Sequence, residues 1–279
     1  MPGERPGPNP AESPRDNAGY NAFLSQTARR ELETRPEFRG VTEWLQTRVE
    51  ALPEMKLSKT ALTGKGGWEK EMESGGEVDK IKSPFFTFEG DVVDTGITKP
   101  DGSKVQWNQG GIKQSETPVT IPTPEGPISM DVSGFVGVIQ DRDGNVLMSI
   151  GQEPYAQSPK KALVRTPYQT SAAKLQGLME GKTELDPGLA NAINILGRGK
   201  TPAQMFADGD FTPFPLAPAD PNRIQATNIG FSHTVRDTEI HRQLVEDGKM
   251  RWCKPSEVKA LTKAGLVNGH TAAAVLAVL

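Results

Sequence analysis

The sequence has 279 residues, of which 35% are hydrophobic, and its formal net charge is −3. This composition can bury a core, which excludes wholesale disorder, and the acidic balance argues against a general nucleic-acid-binding surface. The single cysteine, Cys253, excludes a disulfide framework and any multi-cysteine metal site. No apolar run is long enough to cross a membrane, and the N-terminus lacks the apolar segment of a secretory signal. These features predict a cytoplasmic protein that acts on neither membrane nor nucleic acid.

The pattern along the chain predicts three parts. Residues 1–19 hold five prolines and no aromatic residue, which is typical of a disordered tail. Residues 20–65 are expected to form an N-terminal helical extension, whose first helix ends before Pro36. Its second helix is expected to start after Gly40 with Thr42 as the N-cap. Residues 66–279 are expected to form a single domain.

Strand signals dominate the first half of that domain. Phe85 to Val93 reads as two strands separated near Gly90. Residues 134–140 and 146–150 flank an Asp-Gly-Asn turn, and this arrangement predicts a β-hairpin. Residues 162–164 are a further short strand candidate.

Helical spacing dominates the second half. It recurs at residues 170–206, 240–245, 255–264 and 270–279, while 250–253 is strand-like. A proline-rich link is expected at 212–221. Together the two halves predict an α+β fold with a central, mostly antiparallel sheet and helices at its ends.

The familiar cofactor and metal motifs are incomplete in this sequence. The Gly-Lys-Thr runs at 181–183 and 199–201 lack the glycine spacing and the preceding strand of a phosphate loop. The acidic turn at 141–145 lacks the glycine and glutamate of a calcium loop. The three histidines have no metal-ligand spacing, and Cys253 lies in an apolar run. We therefore expect no metal, no cofactor and a buried, inert thiol.

A series of short motifs occurs in a fixed order between residues 81 and 175. They are Ile81-Lys82-Ser83-Pro84-Phe85-Phe86, Trp107-x-Gln109, Gln114-x-Glu116, Gly134-Phe135-Val136-Gly137, Glu153-Pro154 and the segment 164–171. Trp252, Leu261 and Leu266-Val267-Asn268 continue the series toward the C-terminus. In this order and spacing the motifs resemble those of the NDP-hexose 2,3-dehydratase family, with this chain as a divergent single-module member.

The resemblance implies a Nudix-like fold, with a mixed or antiparallel sheet flanked by helices, and a lyase that needs neither metal nor nicotinamide. That family removes water, as the C2 hydroxyl and the C3 proton, from an NDP-4-keto-6-deoxyhexose in natural-product deoxysugar biosynthesis. The catalytic Nudix box is missing, so diphosphate hydrolysis is not expected. Family members usually carry two tandem modules, and a chain with one module is therefore expected to form a homodimer.

The sequence departs from the family pattern at three positions. The family's lysine after the hairpin falls on Gly151, and an arginine and a tyrosine fall on Ala172 and Leu175. Lys174 or Arg165 could supply the replacement charge. Two other functions therefore stay open: a natural-product tailoring lyase or cyclase that acts on a non-sugar carbonyl compound, and a non-catalytic ligand-binding module of the same fold.

The chemistry of the resemblance defines the candidate site. A 4-ketone acidifies the neighbouring C–H, so the site needs a base, an acid for the leaving hydroxyl, donors for the ketone and cations for the diphosphate. Glu153 is expected to be the base and Tyr168 the acid or oxyanion donor. The expected substrate-binding residues are Trp107, Gln109, Gln114, Glu116, Lys160, Lys161, Arg165, Thr166, Gln169 and Lys174. One pocket at the end of the 134–150 hairpin is expected to be lined by Trp107, Gln109, Gln114, Glu153, Arg165, Tyr168 and Gln169.

Overall fold

The computed structural model describes residues 17–54, 69–72, 78–82, 86–114, 116–153, 156, 158–185, 187–216, 224–225 and 227–279. The helices in these ranges are α1 (Asn17–Thr34), α2 (Arg39–Ala51), α3 (Ala172–Met179), α4 (Pro187–Gly197), α5 (Pro202–Ala207), α6 (Thr238–Gln243), α7 (Pro255–Lys263) and α8 (Gly269–Val278). The strands are β1 (Glu69–Met72), β2 (Val78–Lys82), β3 (Phe86–Thr98), β4 (Lys104–Gln114), β5 (Thr117–Ile121), β6 (Ile128–Val132), β7 (Gly134–Gln140), β8 (Val146–Gln152), β9 (Ala162–Arg165), β10 (Tyr168–Ser171), β11 (Thr212–Leu216), β12 (Ile224–Gln225), β13 (Asn228–Thr234) and β14 (Arg251–Cys253).

The central sheet has the strand order β11-β13-β7-β8-β14. β7 and β8 pair where the hairpin turns, and beyond that point β10 pairs with β7 while β9 pairs with β8. β13 runs parallel to β7 along its whole length, from Asn228 opposite Gly134 to Thr234 opposite Gln140. The starts of these two strands therefore lie at the same edge of the sheet, beside the end of β10.

Side chains of the central sheet supply two hydrophobic clusters. Phe135 and Ile139 of β7 belong to one cluster with Phe231, and Val136 and Val138 belong to the other. This division follows from the strand itself, because successive side chains point to opposite faces of a sheet. Helices α3 to α6 contribute to the first cluster, and α1, α7 and α8 contribute to the second.

The two N-terminal helices pack onto the second cluster. Leu32 of α1 and Val41 of α2 are buried there, together with Phe38 from the single turn between the helices. Burying side chains of this size stabilises the fold by about 1.5–3 kcal/mol each. The helical extension therefore shares a core with the sheet that follows it in the sequence.

Two further sheets complete the described fold. One has the order β1-β2-β3-β4-β12, and β5 and β6 pair with each other in a separate hairpin. β3 and β4 are joined by a turn in which the amide of Lys99 donates to the carbonyl of Ser103, as the Pro-Asp-Gly sequence there suggests. The described structure confirms an α+β protein with a mostly antiparallel multi-stranded sheet.

Several local predictions are confirmed. The 134–150 hairpin forms as β7 and β8, and 162–164 falls in β9. The helices predicted at 255–264 and 270–279 correspond to α7 and α8. α7 starts where its sequence indicates, because Pro255 occupies the first turn and Glu257 Oε2 accepts from the Lys254 amide at 2.7 Å.

Three local predictions are wrong. Gly90 does not separate two strands, since β3 continues through it and pairs Gly90 with Gly110 of β4. Thr42 is not an N-cap, because α2 starts at Arg39 and the Thr42 hydroxyl donates back to the Phe38 carbonyl at 2.8 Å. α1 begins at Asn17 rather than after residue 19. The rest of the predicted tail, residues 1–16, and the glycine-rich segment 64–67 lie outside the described residues.

The second half holds strands that its sequence pattern did not indicate. The expected proline-rich link contains β11, an edge strand, where a missing N–H can face away from the ladder. β10 and β13 were also missed, and both pair with β7. Among the described residues, no helix is long and apolar enough to cross a membrane.

Candidate functional site

A cavity of about 410 Å³ opens at the edge of the central sheet where β7 and β13 begin. Most of its wall comes from the ends of strands, with one contribution each from α3 and α8. The residues that line it are Gln114, Thr117, Ser133, Gly134, Phe135, Val136, Arg165, Gln169, Thr170, Ser171, Ala173, Asn228 and His270. We call it the β7 cavity.

The last three residues of β10 line the β7 cavity, whereas its first residue, Tyr168, does not. Gln169 lines the cavity, while Tyr168, one residue earlier, is fully buried in the first hydrophobic cluster. The Tyr168 hydroxyl lies 3.4 Å from the carbonyl oxygen of Ala192 in α4, and burial raises the pKa of this phenol. Tyr168 therefore does not line the cavity, and its phenol is held as a neutral core group.

Arg165, at the end of β9, supplies the cation of the β7 cavity. It follows the fully buried Val164, and its guanidinium packs over the backbone of Gly151 on β8. A β-carbon at position 151 would overlap the Arg165 side chain, so glycine is what allows this packing. A half-buried guanidinium at a cavity wall is suited to carboxylate or phosphate oxygens.

The remaining polar groups of the wall are mostly neutral. Thr271 of α8 holds Gln169 loosely, since the two side-chain oxygens lie 3.5 Å apart. The Thr271 hydroxyl also accepts from the backbone amide of Thr166 at 3.1 Å. His270, half-buried at the start of α8, presents an imidazole to the cavity. The wall can therefore offer a cation, an imidazole and several amides to a polar ligand.

Two buried polar groups of the wall lack hydrogen-bond partners among the described residues. They are the side-chain nitrogen of Asn228, which is 7% exposed, and the hydroxyl of Ser133. Leaving a buried donor unsatisfied costs about 1–3 kcal/mol, and such groups are rare in folded proteins. Three further buried polar atoms without a described partner, on Thr166, Gln176 and Arg251, lie away from this wall.

Glu153 stands next to the cavity without lining it. Its backbone amide donates to the carbonyl of Lys161 at 2.8 Å, and its Oε1 accepts from Asn268 Nδ2 at 3.3 Å. Asn268 is also the N-cap of α8, because its Oδ1 accepts from the amides of His270 and Thr271. One asparagine thus ties the Glu153 carboxylate to the helix turn that carries the cavity's imidazole.

Lys160 and Lys161 lie on a tight turn rather than on the cavity wall. Both have left-handed backbone angles, with φ of 51° and 57°. The Lys160 ammonium donates to the carbonyls of Glu50 and Leu52 at 2.6 and 2.8 Å, at the C-terminal end of α2. A cation at this position satisfies free carbonyls and complements the helix dipole. The geometry gives Lys160 a structural task that the sequence did not suggest.

The other predicted site residues are dispersed. Thr166 is fully buried, and Lys174 is exposed on α3. Glu116 is exposed beside the cavity and accepts from the Thr227 hydroxyl at 2.8 Å. Trp107 and Gln109 lie on β4, opposite Val93 and Asp91, and their side chains fall outside the described part of the chain.

Sequence reasoning missed several wall residues, among them Ser133, Asn228 and His270. The signal for His270 was available, since it follows the Leu266-Val267-Asn268 turn by two residues and that asparagine caps its helix. Asn228 carried no comparable signal, because its position depends on the parallel pairing of β13 with β7. Gln114, Arg165 and Gln169, predicted to share one pocket, do line the β7 cavity together.

A second polar cluster lies at the opposite end of β7, at the hairpin turn. The Asp141 carboxylate is 7% exposed and accepts from the amides of Asp143 and Asn145 at 2.9 and 2.8 Å. It also accepts from the Asn145 side chain at 2.7 Å and faces His241 Nε2 at 3.4 Å. The His241 ring stacks on Trp252, with the ring centres 4.6 Å apart. We call this group the turn cluster.

Hydrogen bonds set the ionisation of the turn cluster. Burial by itself raises the pKa of Asp141, but the bonds from Asn145, Asp143 and His241 outweigh it and hold this pKa below its ordinary value. In the described ranges, no three His, Cys, Asp or Glu side chains are grouped closely enough to hold a metal ion. The Asp141 carboxylate of the turn cluster is therefore an anion whose hydrogen bonds come from neighbouring residues of the protein.

Comparison with known proteins adds no assignment. No model of a protein family matches the sequence, and the sequence matches no curated protein.

Proposed function

We propose that the protein is a lyase that binds a nucleotide-linked 4-keto-6-deoxyhexose in the β7 cavity and eliminates water from it. One observation carries the proposal. Gln114 belongs to one motif of the sequence series that resembles NDP-hexose 2,3-dehydratases, Arg165 and Gln169 belong to another, and all three line one cavity. Convergence of distant polar residues on a single wall supports a shared ligand. The Nudix-like form of the α+β fold belongs to the same proposal.

The Arg165–Gly151 contact bears on the family's missing lysine. In the resemblance, that lysine falls on Gly151. The space next to Gly151, where a side chain would begin, is filled by the Arg165 guanidinium. A positive charge is thus present at this place on the wall although position 151 carries none. Arg165 is accordingly the proposed partner of the diphosphate, in preference to Lys174.

The proposed elimination needs two proton transfers. The ketone at C4 makes the C3 proton acidic. The proposal requires the Glu153 carboxylate to leave Asn268 and enter the β7 cavity, where it takes this proton to give an enolate. The C2–O bond then breaks as His270 donates a proton to the leaving hydroxyl, which departs as water. We assign the acid to His270 rather than Tyr168, because Tyr168 is buried on the other face of β10. No electron acceptor is required, since the loss of water causes no net oxidation or reduction of the sugar.

A second candidate function is a non-catalytic ligand-binding module. The observation in its favour is that none of the described side chains lining the β7 cavity is a carboxylate. The Glu153 carboxylate does not line the cavity but bonds to Asn268, whose Oδ1 accepts from the amide of His270. A lyase or cyclase that acts on a non-sugar carbonyl compound would use the same wall.

The test of the lyase proposal combines binding and turnover. Thermal shifts are measured with dTDP-glucose, UDP-glucose and the two nucleoside diphosphates, since a bound ligand stabilises the fold in proportion to ln(1 + [L]/Kd). Turnover of dTDP-4-keto-6-deoxyglucose is followed by mass spectrometry as loss of one water. Glu153→Gln is expected to lower turnover about 10²-fold with binding retained, as for the loss of a general base.

The matched control for that test is Glu125→Gln, which makes the same change at an exposed loop position. It is expected to leave turnover and binding unchanged. Turnover that survives Glu153→Gln would show that the base is assigned wrongly. Binding of a nucleotide sugar without any turnover by the parent protein would favour the binding module instead.

The cytoplasmic location and the homodimer stay part of the proposal. Light scattering at micromolar protein concentration is expected to give twice the chain mass of 30.2 kDa. A mass equal to that of one chain would contradict the dimer.

A further inference from the structure

The unpartnered side chains of Asn228 and Ser133 mark one part of the β7 cavity wall. Both residues line the cavity, and the polar atoms concerned have no hydrogen-bond partner within the described part of the chain. Asn228 is more than nine-tenths buried, so water does not reach it freely either. A buried donor that the protein leaves unsatisfied is explained most simply by a ligand atom that satisfies it.

The backbone around these side chains is fully engaged. The Ser133 amide donates to the Thr227 carbonyl at 2.7 Å, and the Ser133 carbonyl accepts from the Ala172 amide at 3.2 Å. Asn228 pairs with Gly134 in the parallel ladder of β13 and β7. The backbone at both positions is therefore fixed, and the Ser133 hydroxyl and the Asn228 side-chain nitrogen are the atoms that lack partners among the described residues.

Gly134 makes room for the Asn228 amide. A β-carbon at position 134 would lie 2.5 Å from Asn228 Oδ1, which is closer than such atoms approach in folded proteins. Gly134 has no left-handed backbone angle, so its lack of a side chain is not a conformational need. The glycine thus preserves the position of an amide whose nitrogen has no partner among the described residues.

We propose that the side chains of Asn228 and Ser133 donate hydrogen bonds to a neutral oxygen of the ligand, namely a ketone or hydroxyl oxygen of the sugar. Ser133 directly precedes Gly134, the strand partner of Asn228. This assignment rests on the proposed function, and it divides the ligand between two parts of the wall. Arg165 takes the charged diphosphate, for which a guanidinium is suited. The Asn228 amide is uncharged, so it selects an oxygen acceptor without attracting a second anion. Asn228 is therefore the specificity-determining contact for the sugar.

The test compares a ligand that carries the sugar with one that lacks it. Affinities for dTDP-glucose and for dTDP are measured by calorimetry on the full chain, on Asn228→Leu and on Gly134→Ala. Asn228→Leu removes the donor, and Gly134→Ala forces the amide from its position. Both variants are expected to weaken dTDP-glucose about tenfold or more and to change dTDP affinity less than about twofold. Equal losses for both ligands, or no loss for either, would overturn the proposal.

A second measurement, without ligand, separates this proposal from the function on which it rests. Urea unfolding of Asn228→Leu is expected at the same or a higher midpoint than the parent, because an unsatisfied donor is removed. The matched control is Asn145→Leu, which removes an amide bonded to Asp141 and is expected to unfold at a lower midpoint. If the parent binds neither probe, the proposed function fails. The urea result is a separate test: a lower midpoint for Asn228→Leu makes the amide structural and overturns the proposal, and an unchanged or higher midpoint shows that the fold does not depend on the amide, as the proposal requires.

Discussion

The buried polar groups at the two ends of β7 differ in whether they have hydrogen-bond partners. At the turn cluster, the buried Asp141 carboxylate is bonded by backbone amides and by the Asn145 side chain. At the β7 cavity, the buried Asn228 and Ser133 side chains have no partner among the described residues. One end of β7 thus carries a polar group with hydrogen-bond partners, and the other end lies beside polar groups without them among the described residues.

This difference separates a structural polar group from one that is available to a ligand. A satisfied network stabilises the fold and offers few free donors or acceptors. An open network costs stability, and we propose that a ligand completes the one at the β7 cavity. Substitutions at the turn cluster should therefore change stability, and substitutions at the cavity should change binding.

The largest expected effect is at the turn cluster. Asp141→Ala removes the acceptor of three N–H groups and the partner of His241, and it is expected to lower the free energy of unfolding by about 3 kcal/mol. Asp143→Ala, at an exposed position of the same turn, serves as the control and should change it little. Urea unfolding measures both. An unchanged stability for Asp141→Ala would remove the contrast between the two ends of β7.

The corresponding change at the cavity is Arg165→Gln. It is expected to weaken dTDP-glucose binding by about 2 kcal/mol, or roughly 30-fold, through loss of a charge-assisted contact, with little change in unfolding. Arg236→Gln is the matched control, because Arg236 is an exposed arginine just beyond the opposite end of β13. Calorimetry compares the two variants, and equal losses of affinity would show that Arg165 acts only through the overall charge.

The depressed pKa of Asp141 predicts a smaller effect of pH on stability. A carboxyl group with a lowered pKa in the folded state contributes stability above its ordinary pKa of 3.8, and this contribution disappears as the pH falls through the folded value. The parent should therefore exceed Asp141→Asn in unfolding free energy at neutral pH, and the two should converge in acid. Urea unfolding over a pH series tests this, and a constant difference at every pH would contradict it.

The smallest expected effect concerns Cys253, which pairs with Val146 next to the turn cluster. The thiol is fully buried, and burial raises its pKa to about 12. The native protein should show no reaction with a thiol reagent at pH 8, and the urea-unfolded protein should react at this single cysteine. Rapid labelling of the native protein would show that this end of the sheet opens readily.

Local chemistry explains which parts of the fold could be predicted. The Asp-Gly-Asn turn predicts the β7–β8 hairpin. The proline and the glutamate in the first turn of α7 predict where that helix begins. β13 was missed because it becomes a central strand only through parallel pairing with β7, which lies about ninety positions earlier in the chain. Pairing at that separation leaves no pattern in a short window of sequence.

The candidate site shows the same limit. The sequence did not indicate β10, so it did not show that Tyr168 and Gln169 lie on opposite faces of a strand, and both residues were expected to line one pocket. The structure gives Tyr168 to the core and Gln169 to the β7 cavity. Lys160 and Arg165, both predicted to bind substrate, lie in different places for a related reason. Lys160 bonds to carbonyls at the end of α2, a helix about a hundred residues earlier in the chain.

The prolines of β11 restrict how two copies of this protein can associate. β11 ends the described strand order of the central sheet, and Pro213 and Pro215 lie two residues apart, so both ring nitrogens face the same side of the strand. On the outward side they leave no N–H groups to donate to an incoming strand. A continuous sheet across this edge is therefore blocked, which protects the protein from strand-by-strand polymerisation. Two copies that meet at this edge have to do so through side-chain surfaces instead.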